Sequence, residues 1–317
     1  MSKEEYQFLK TKSPLMHYYL FLRTFLVYVI NAYNIFVFRD NIKIWLPLVI
    51  FQGMILVNVI FLMHEGCHML IFNNDQRNSN IVLFLEHWTM RIYGYWAHAS
   101  AIFFKEYHGQ HHHRFFRGED DPKSTHFVPK IEDGQSQFRF WLTKIGYFGP
   151  GLVKVFRKLN NSVKTVTEKT RRQGLWERRF NLLVMVTACV TITYFDCFST
   201  YLKLHFLPHL VFFEIFFMVN RCGQHYCCDP NHSIYQSTPM KGSFFAEMMF
   251  LYSGYHVEHH TFPEVPAYNL KALNRILGPR VYKKEKICYW TYPRLVYGWL
   301  VLNKQPYTIW WDLARVW

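Results

Sequence analysis

Hydrophobic residues gather in four long stretches, Tyr18–Phe38, Ile44–Met63, Asn181–Thr200 and Leu204–Val219, with polar sequence between them. Each is near the roughly 20 helical residues that cross a hydrocarbon core of about 30 Å. Arg23, Asn34, Asn58, Asp196 and Glu214 interrupt these runs, and Pro208 would kink the last. The short gaps Arg39–Lys43 and Tyr201–Lys203 predict two helical hairpins. The expected fold is all-α: an integral membrane protein with four transmembrane helices in two hairpins, and residues 64–180 and 221–317 forming a helical cap within a single domain, 1–317. The polar stretch Lys154–Arg179 reads as an exposed helical connection. Asn269–Pro279 has apolar residues at helical spacing before a Gly278-Pro279 stop, predicting an amphipathic surface helix with Lys271 and Arg275 toward water or lipid phosphate.

Composition then narrows the class. Of 317 residues, 50% are hydrophobic and 19% aromatic, enough apolar surface to exclude a disordered chain. Lys+Arg number 36 against 22 Asp+Glu, a formal charge of +14. If the two gaps are external they hold only Arg39, Lys43 and Lys203, so nearly all the basic charge lies on the other face, the asymmetry that marks a cytoplasmic side. Two hairpins return both termini to that face. The charge is therefore explained without an anionic polymer, and no nucleic-acid-binding motif accompanies it. Seven Cys show no paired C-x-x-C spacing, so reduced thiols are expected rather than a disulfide framework or zinc ribbon. No cleaved signal peptide or organelle address is evident, which points to a bacterial inner membrane.

The seventeen His are clumped. His64 and His68 are four residues apart and share one face of a helix continuing from the second span. His108-x-x-His111-His112 and His256-x-x-His259-His260 each converge three imidazoles by i, i+3 and i+4 spacing. At this His content one such five-residue pattern is expected about 0.05 times by chance. His225 stands alone in sequence, just beyond the fourth span on the same face. His113 lies one step off its cluster's face, and His17, His87, His98, His126, His205, His209 and His232 read as surface or supporting residues without a chelating neighbour. Eight or nine imidazoles exceed the four ligands of one closed zinc site and suit two ions. Imidazole suits Fe, Cu, Ni and Zn alike. Glu65, Glu258, Asp120 and Asp121 are placed to hold ring orientation and tautomer. A metal-transport protein would instead string imidazoles along its spans, whereas most of these cluster outside them.

These residues resemble the membrane fatty acid desaturase family, in its acyl desaturase branch. The three histidine boxes occur in order, with Gly118-Glu119-Asp120-Asp121-Pro122 after the second and Thr261-Phe262-Pro263-Glu264-Val265-Pro266 after the third. The resemblance runs from about residue 18 to residue 280. It implies that His64, His68, His108, His111, His112, His256, His259 and His260 ligate two irons, with His225 as the further ligand between the second and third boxes. Gln224 stands where related alkane hydroxylases and many bacterial members carry Glu, which alters the charge expected beside His225. The resemblance also implies O2 as co-substrate and a lipid-, CoA- or carrier-linked acyl chain as substrate. No His-Pro-Gly-Gly heme signature is present, so the expected electron donor is a separate ferredoxin, rubredoxin or cytochrome b5 type carrier with its reductase, which the basic surface could dock. Zinc can replace iron in overproduced protein, since it lies above ferrous iron in the affinity order. Related enzymes hydroxylate or oxidise hydrocarbons, sterols or carotenoids to ketones, so a hydroxylase or ketolase is the alternative outcome at the same site.

Overall fold

The computed structural model describes residues 1–114, 167–225, 237–283 and 289–300. Among them the chain is helical: α1 (Lys3–Lys10), α2 (Pro14–Val37), α3 (Ile42–Cys67), α4 (Asn80–Trp96), α5 (Ala101–Arg114), α6 (Glu168–Tyr194), α7 (Phe198–His225), α8 (Phe244–Met249), α9 (His256–Thr261), α10 (Ala267–Leu277) and α11 (Tyr292–Leu300). The one β-type pairing there is an isolated bridge between Met240 and Trp290. Two compact units divide the chain. The span unit is Ser13–His108 with Val163–Phe217, and the terminal unit is Met1–Lys12, Gly109–Ser162 and Met218–Trp317.

Among the described residues three helices, α2, α3 and α7, are long and apolar enough to cross a membrane. In the span unit α2 and α3 form the first expected hairpin. The helix break falls at Phe38–Asn41, where the Asn41 side chain accepts from the Lys43 N–H at 3.1 Å and starts α3. Between hydrocarbon-soluble helices packing and hydrogen bonds replace the hydrophobic drive. The α2–α3 pair uses both: Asn31 Nδ2 donates to the Leu48 carbonyl at 2.8 Å and to Gln52 Oε1, while Gln52 Nε2 donates to the Tyr28 carbonyl at 3.2 Å. Gly53 lets α3 approach α7, since an added Cβ would lie 2.7 Å from the Phe213 nitrogen and 2.8 Å from the Phe212 carbonyl carbon. α3 is accordingly the most enclosed of these three helices, with Val49, Leu56, Val57, Val59 and Met63 fully buried. α2 turns Phe25, Ile30, Tyr33 and Phe36 outward, an apolar exterior suited to lipid.

The second hairpin departs from expectation. Its connection is Phe195–Cys197 rather than Tyr201–Lys203. Asp196 takes φ 49°, a left-handed conformation that Asp tolerates better than most residues, and this ends α6. Lys203 lies inside α7, where its ammonium donates to the Arg39 carbonyl at 2.6 Å. Pro208 does not break α7 but opens one of two consecutive π-helical turns, Leu202–Phe206 and Pro208–Phe212. Within α6 the stretch expected to be exposed up to Arg179 buries Gly174 and Glu177, followed by Asn181. Glu177 accepts from Arg91 Nε at 3.0 Å, Ser100 Oγ at 2.7 Å and the Ile102 N–H at 3.2 Å. That inward polar stripe leaves Leu182, Leu183, Val186 and Val190 outside. The rest of the connection, from Lys154 to Val166, lies outside the described residues.

In the terminal unit α1 is closed by a capping box, Ser2 with Glu5. Leu9 packs with Tyr255, Val265, Ala267, Leu270 and Leu273. Tyr6 OH donates to Glu264 at 2.6 Å and Asn269 Nδ2 to the Leu9 carbonyl at 2.8 Å, which holds α1 against the segment after the third histidine box. α10 has the expected amphipathic pattern, but Lys271 does not simply face solvent. Its ammonium meets Glu247 Oε2 at 2.6 Å, whereas Arg275 is exposed. At the expected Gly-Pro stop a π-helical turn, Gly278–Tyr282, follows α10.

Candidate metal centre

α3 extends one turn past its apolar run, so His64 occupies its last turn and His68 its C-cap. Met69 at φ 58° then ends the helix, with the Leu70 N–H returning to the Glu65 carbonyl at 3.0 Å. α5 supplies His108 in the same unit. Ring centroids are 4.8 Å apart for His64–His68, 4.3 Å for His64–His108 and 4.8 Å for His68–His108. His68 Nε2 and His108 Nε2 approach to 2.8 Å. Phe104 stacks on His108 at 5.8 Å and steadies that ring. The Glu65 carboxylate is 3.6 Å from His64 Nδ1, beside the ring but beyond a good hydrogen bond.

The terminal unit gathers six imidazoles. The end of α5 brings His111 and His112, the end of α7 brings His225, and α9 brings His256, His259 and His260. The turn before α9 places Leu251 and Tyr252 at φ 42° and 63°, and Tyr255 OH fixes it by donating to Glu247 at 2.6 Å. His256 Nε2 lies 3.0 Å from His225 Nε2 and 3.1 Å from His260 Nε2, and His259 Nε2 lies 3.1 Å from His112 Nε2. One ligand nitrogen from each of His111, His225 and His260 falls within 4.8 Å of the others. His225, isolated in sequence, thus sits among the box histidines of its unit.

The spacing fits metal ligation. Imidazoles side by side on one ion, at a metal–nitrogen distance of about 2.1 Å, hold their ligating nitrogens about 3.0 Å apart at a right angle. A neutral imidazole nitrogen offers one N–H or one lone pair. The contacts of His256 Nε2 with two other Nε2 atoms therefore exceed one simple hydrogen bond and suit a shared cation.

Of the supporting carboxylates, Glu258 uses its Oε1 away from the histidines: Asn274 Nδ2 and Tyr282 OH both donate to it, at 2.6 Å and 2.7 Å. Burial raises its carboxyl above the ordinary range, against the lowering effect of those two donors. It anchors α9 to α10 and the following turn. Gln224 is buried, and its backbone carbonyl accepts from the Thr238 N–H at 2.9 Å. Nearby, Asn220 Nδ2 donates to Ser253 Oγ at 2.7 Å and contacts Tyr292 OH at 3.1 Å, which ties α7 to the turn before α9 and to α11. Asp120 and Asp121, with the rest of the Gly118–Pro122 motif, lie outside the described residues.

One further group was not anticipated. His98, His205 and His209, expected to lack chelating neighbours, come together in the span unit with one nitrogen of each within 4.8 Å of the others. The i, i+4 spacing of His205 and His209 is visible in the sequence; the arrival of His98 from the turn after α4 is not.

The described residues thus hold several histidine groups able to bind metal. No curated protein matches the chain. A model of the fatty acid desaturase family matches residues 43–293, from the start of α3 through the third box to α11. With its apolar helices and histidine clusters, the chain belongs to the membrane fatty acid desaturase family of oxidoreductases, whose substrates are lipid or acyl chains.

Proposed function

We propose that the protein catalyses oxygen-dependent desaturation of a fatty acyl chain. The observation that carries this reading is the set of close Nε2 contacts among His225, His256 and His260 and between His112 and His259, in a chain of this family. His64, His68, His108, His111, His112, His225, His256, His259 and His260 would hold two iron ions. Iron bound there would supply, with O2, two electrons and two protons, the power to take two hydrogens from adjacent unactivated methylenes, giving an alkene and two waters. The protein holds the imidazoles in place and excludes water. Phe104 steadies His108, Asn220 ties α7 to the turn before α9, and Glu258 with Asn274 and Tyr282 fixes α9.

The whole chain acts in this reading as one desaturase domain. Four helices cross the membrane as two hairpins, α2 with α3 and α6 with α7, and the histidine boxes face the cytoplasm, the side favoured by the basic charge. Electrons come from a separate ferredoxin, rubredoxin or cytochrome b5 type carrier, and a bacterial inner membrane is the expected site.

Expression in a host whose native desaturases are deleted, with total fatty acids profiled by mass spectrometry, tests the reading. A new double bond is expected from the wild type, with at least a 100-fold loss in His256→Ala, on the order of what loss of an essential catalytic group costs. Hydroxylated chains without new double bonds would replace it with the hydroxylase reading.

A further inference from the structure

We propose that His98, His205 and His209 form a separate tris-imidazole site for a divalent transition-metal cation of the zinc type, fastening the α4–α5 turn to α7. All three belong to the span unit. Their ring centroids are 5.0 Å apart for His98–His205, 5.3 Å for His98–His209 and 4.3 Å for His205–His209. His108, the nearest box ligand along the chain, lies seven residues into α5 from Ala101, a helical rise of about 10 Å. None of the three belongs to either group of box histidines, so the cluster shares no ligand with the boxes.

Each member is prepared for ligation. His209 is buried, and its Nδ1 lies 3.2 Å from the His205 carbonyl. The Trp96 carbonyl also faces the His209 ring; with the Nδ1 proton on the His205 carbonyl, ligation through Nε2 would exchange the Trp96 contact for the cation, the arrangement metal-bound histidines generally show. His205 and His209 both sit on the π-helical turns of α7, wide turns that recur at functional sites. His98 occupies a left-handed position, φ 54°, closing the end of α4 with the Ala99 N–H on the Gly94 carbonyl at 2.8 Å. Both His98 ring nitrogens are sealed from solvent and meet no hydrogen-bond partner among the described residues. A buried polar group without a partner is costly, and a cation would satisfy one of these two.

Three neutral imidazoles with a fourth position open match zinc or copper and do not suit magnesium or calcium, which select oxygen ligands. The His209 ring lies 6.2 Å from that of Tyr28, well inside α2, so the cation would sit within the span, where a charge is costly and the three imidazoles are what would offset that cost.

The test is a Zn2+ titration of metal-depleted full-length protein in lipid nanodiscs, with bound equivalents read by elemental mass spectrometry. One equivalent fewer than wild type is expected in His98→Asn, which keeps a residue tolerant of left-handed backbone, and in His209→Gln. Equal equivalents in wild type and both variants would overturn the proposal. A second readout is Co2+ absorption in His111→Ala/His256→Ala: the visible bands of a low-coordinate cobalt site should weaken when His98→Asn or His209→Gln is added to that background, and unchanged bands in both would also overturn the proposal.

Discussion

Glu177 sits where sequence places a solvated charge, in a run rich in Lys and Arg, yet it is 1% exposed and accepts from Arg91, Ser100 and the Ile102 N–H. Removing one partner of a buried ion pair leaves the other uncompensated, whereas replacing both can be nearly neutral. Glu177→Leu should therefore cost about 3 kcal/mol, with Arg91→Met/Glu177→Leu recovering part of it. Thermal unfolding in detergent measures both, and an unchanged melting temperature in Glu177→Leu would contradict the assigned role. The residue scale is also where sequence was most and least informative. The box histidines were legible because i, i+3 and i+4 spacing needs only a local helix to become a cluster. His98 was not, because the chain between it and His205 exceeds one hundred residues and only the fold closes the gap. Glu258 was readable as a carboxylate near the boxes, but its service to Asn274 and Tyr282 depends on where α10 lands.

At the scale of elements, the first hairpin was legible almost to its ends, since Asn41 both interrupts the apolar run and caps the next helix. The second was misplaced by six residues. Apolar residues continue through Phe195, Cys197 and Phe198, so hydropathy alone does not mark the turn that Asp196 makes by its left-handed backbone. The close approach of α3 and α7 at Gly53 likewise leaves no periodic signal. An added Cβ there would meet Phe212 Cβ and, at 2.7 Å and 2.8 Å, backbone atoms of Phe213 and Phe212 that cannot rotate away. Gly53→Ala should overpack this contact at a cost of about 1–3 kcal/mol. A lower melting temperature with less protein recovered from the membrane is expected; wild-type values for both would show that the helices part without cost.

For the whole molecule the open quantity is the number of crossings. α2, α3 and α7 qualify by length and composition. In α6 the apolar part after Arg179 is Phe180–Tyr194, about 22 Å of helix at 1.5 Å per residue, short of a core of about 30 Å. A shorter helix is accommodated by bilayer thinning and by snorkelling of Arg178 and Arg179. The four-crossing account predicts that reporter fusions at the N- and C-termini both report the cytoplasm; opposite sides would establish an odd number of crossings and move the third box away from the second. The central claim is chemical, and single turnover tests it most directly. Purified protein loaded anaerobically with two equivalents of Fe2+, given reductant and a deuterium-labelled acyl chain, is exposed to O2 and its lipid product is analysed by mass spectrometry. The account predicts loss of two hydrogens from adjacent carbons, dependent on both iron and O2. An unaltered chain from protein that demonstrably holds its iron would contradict it.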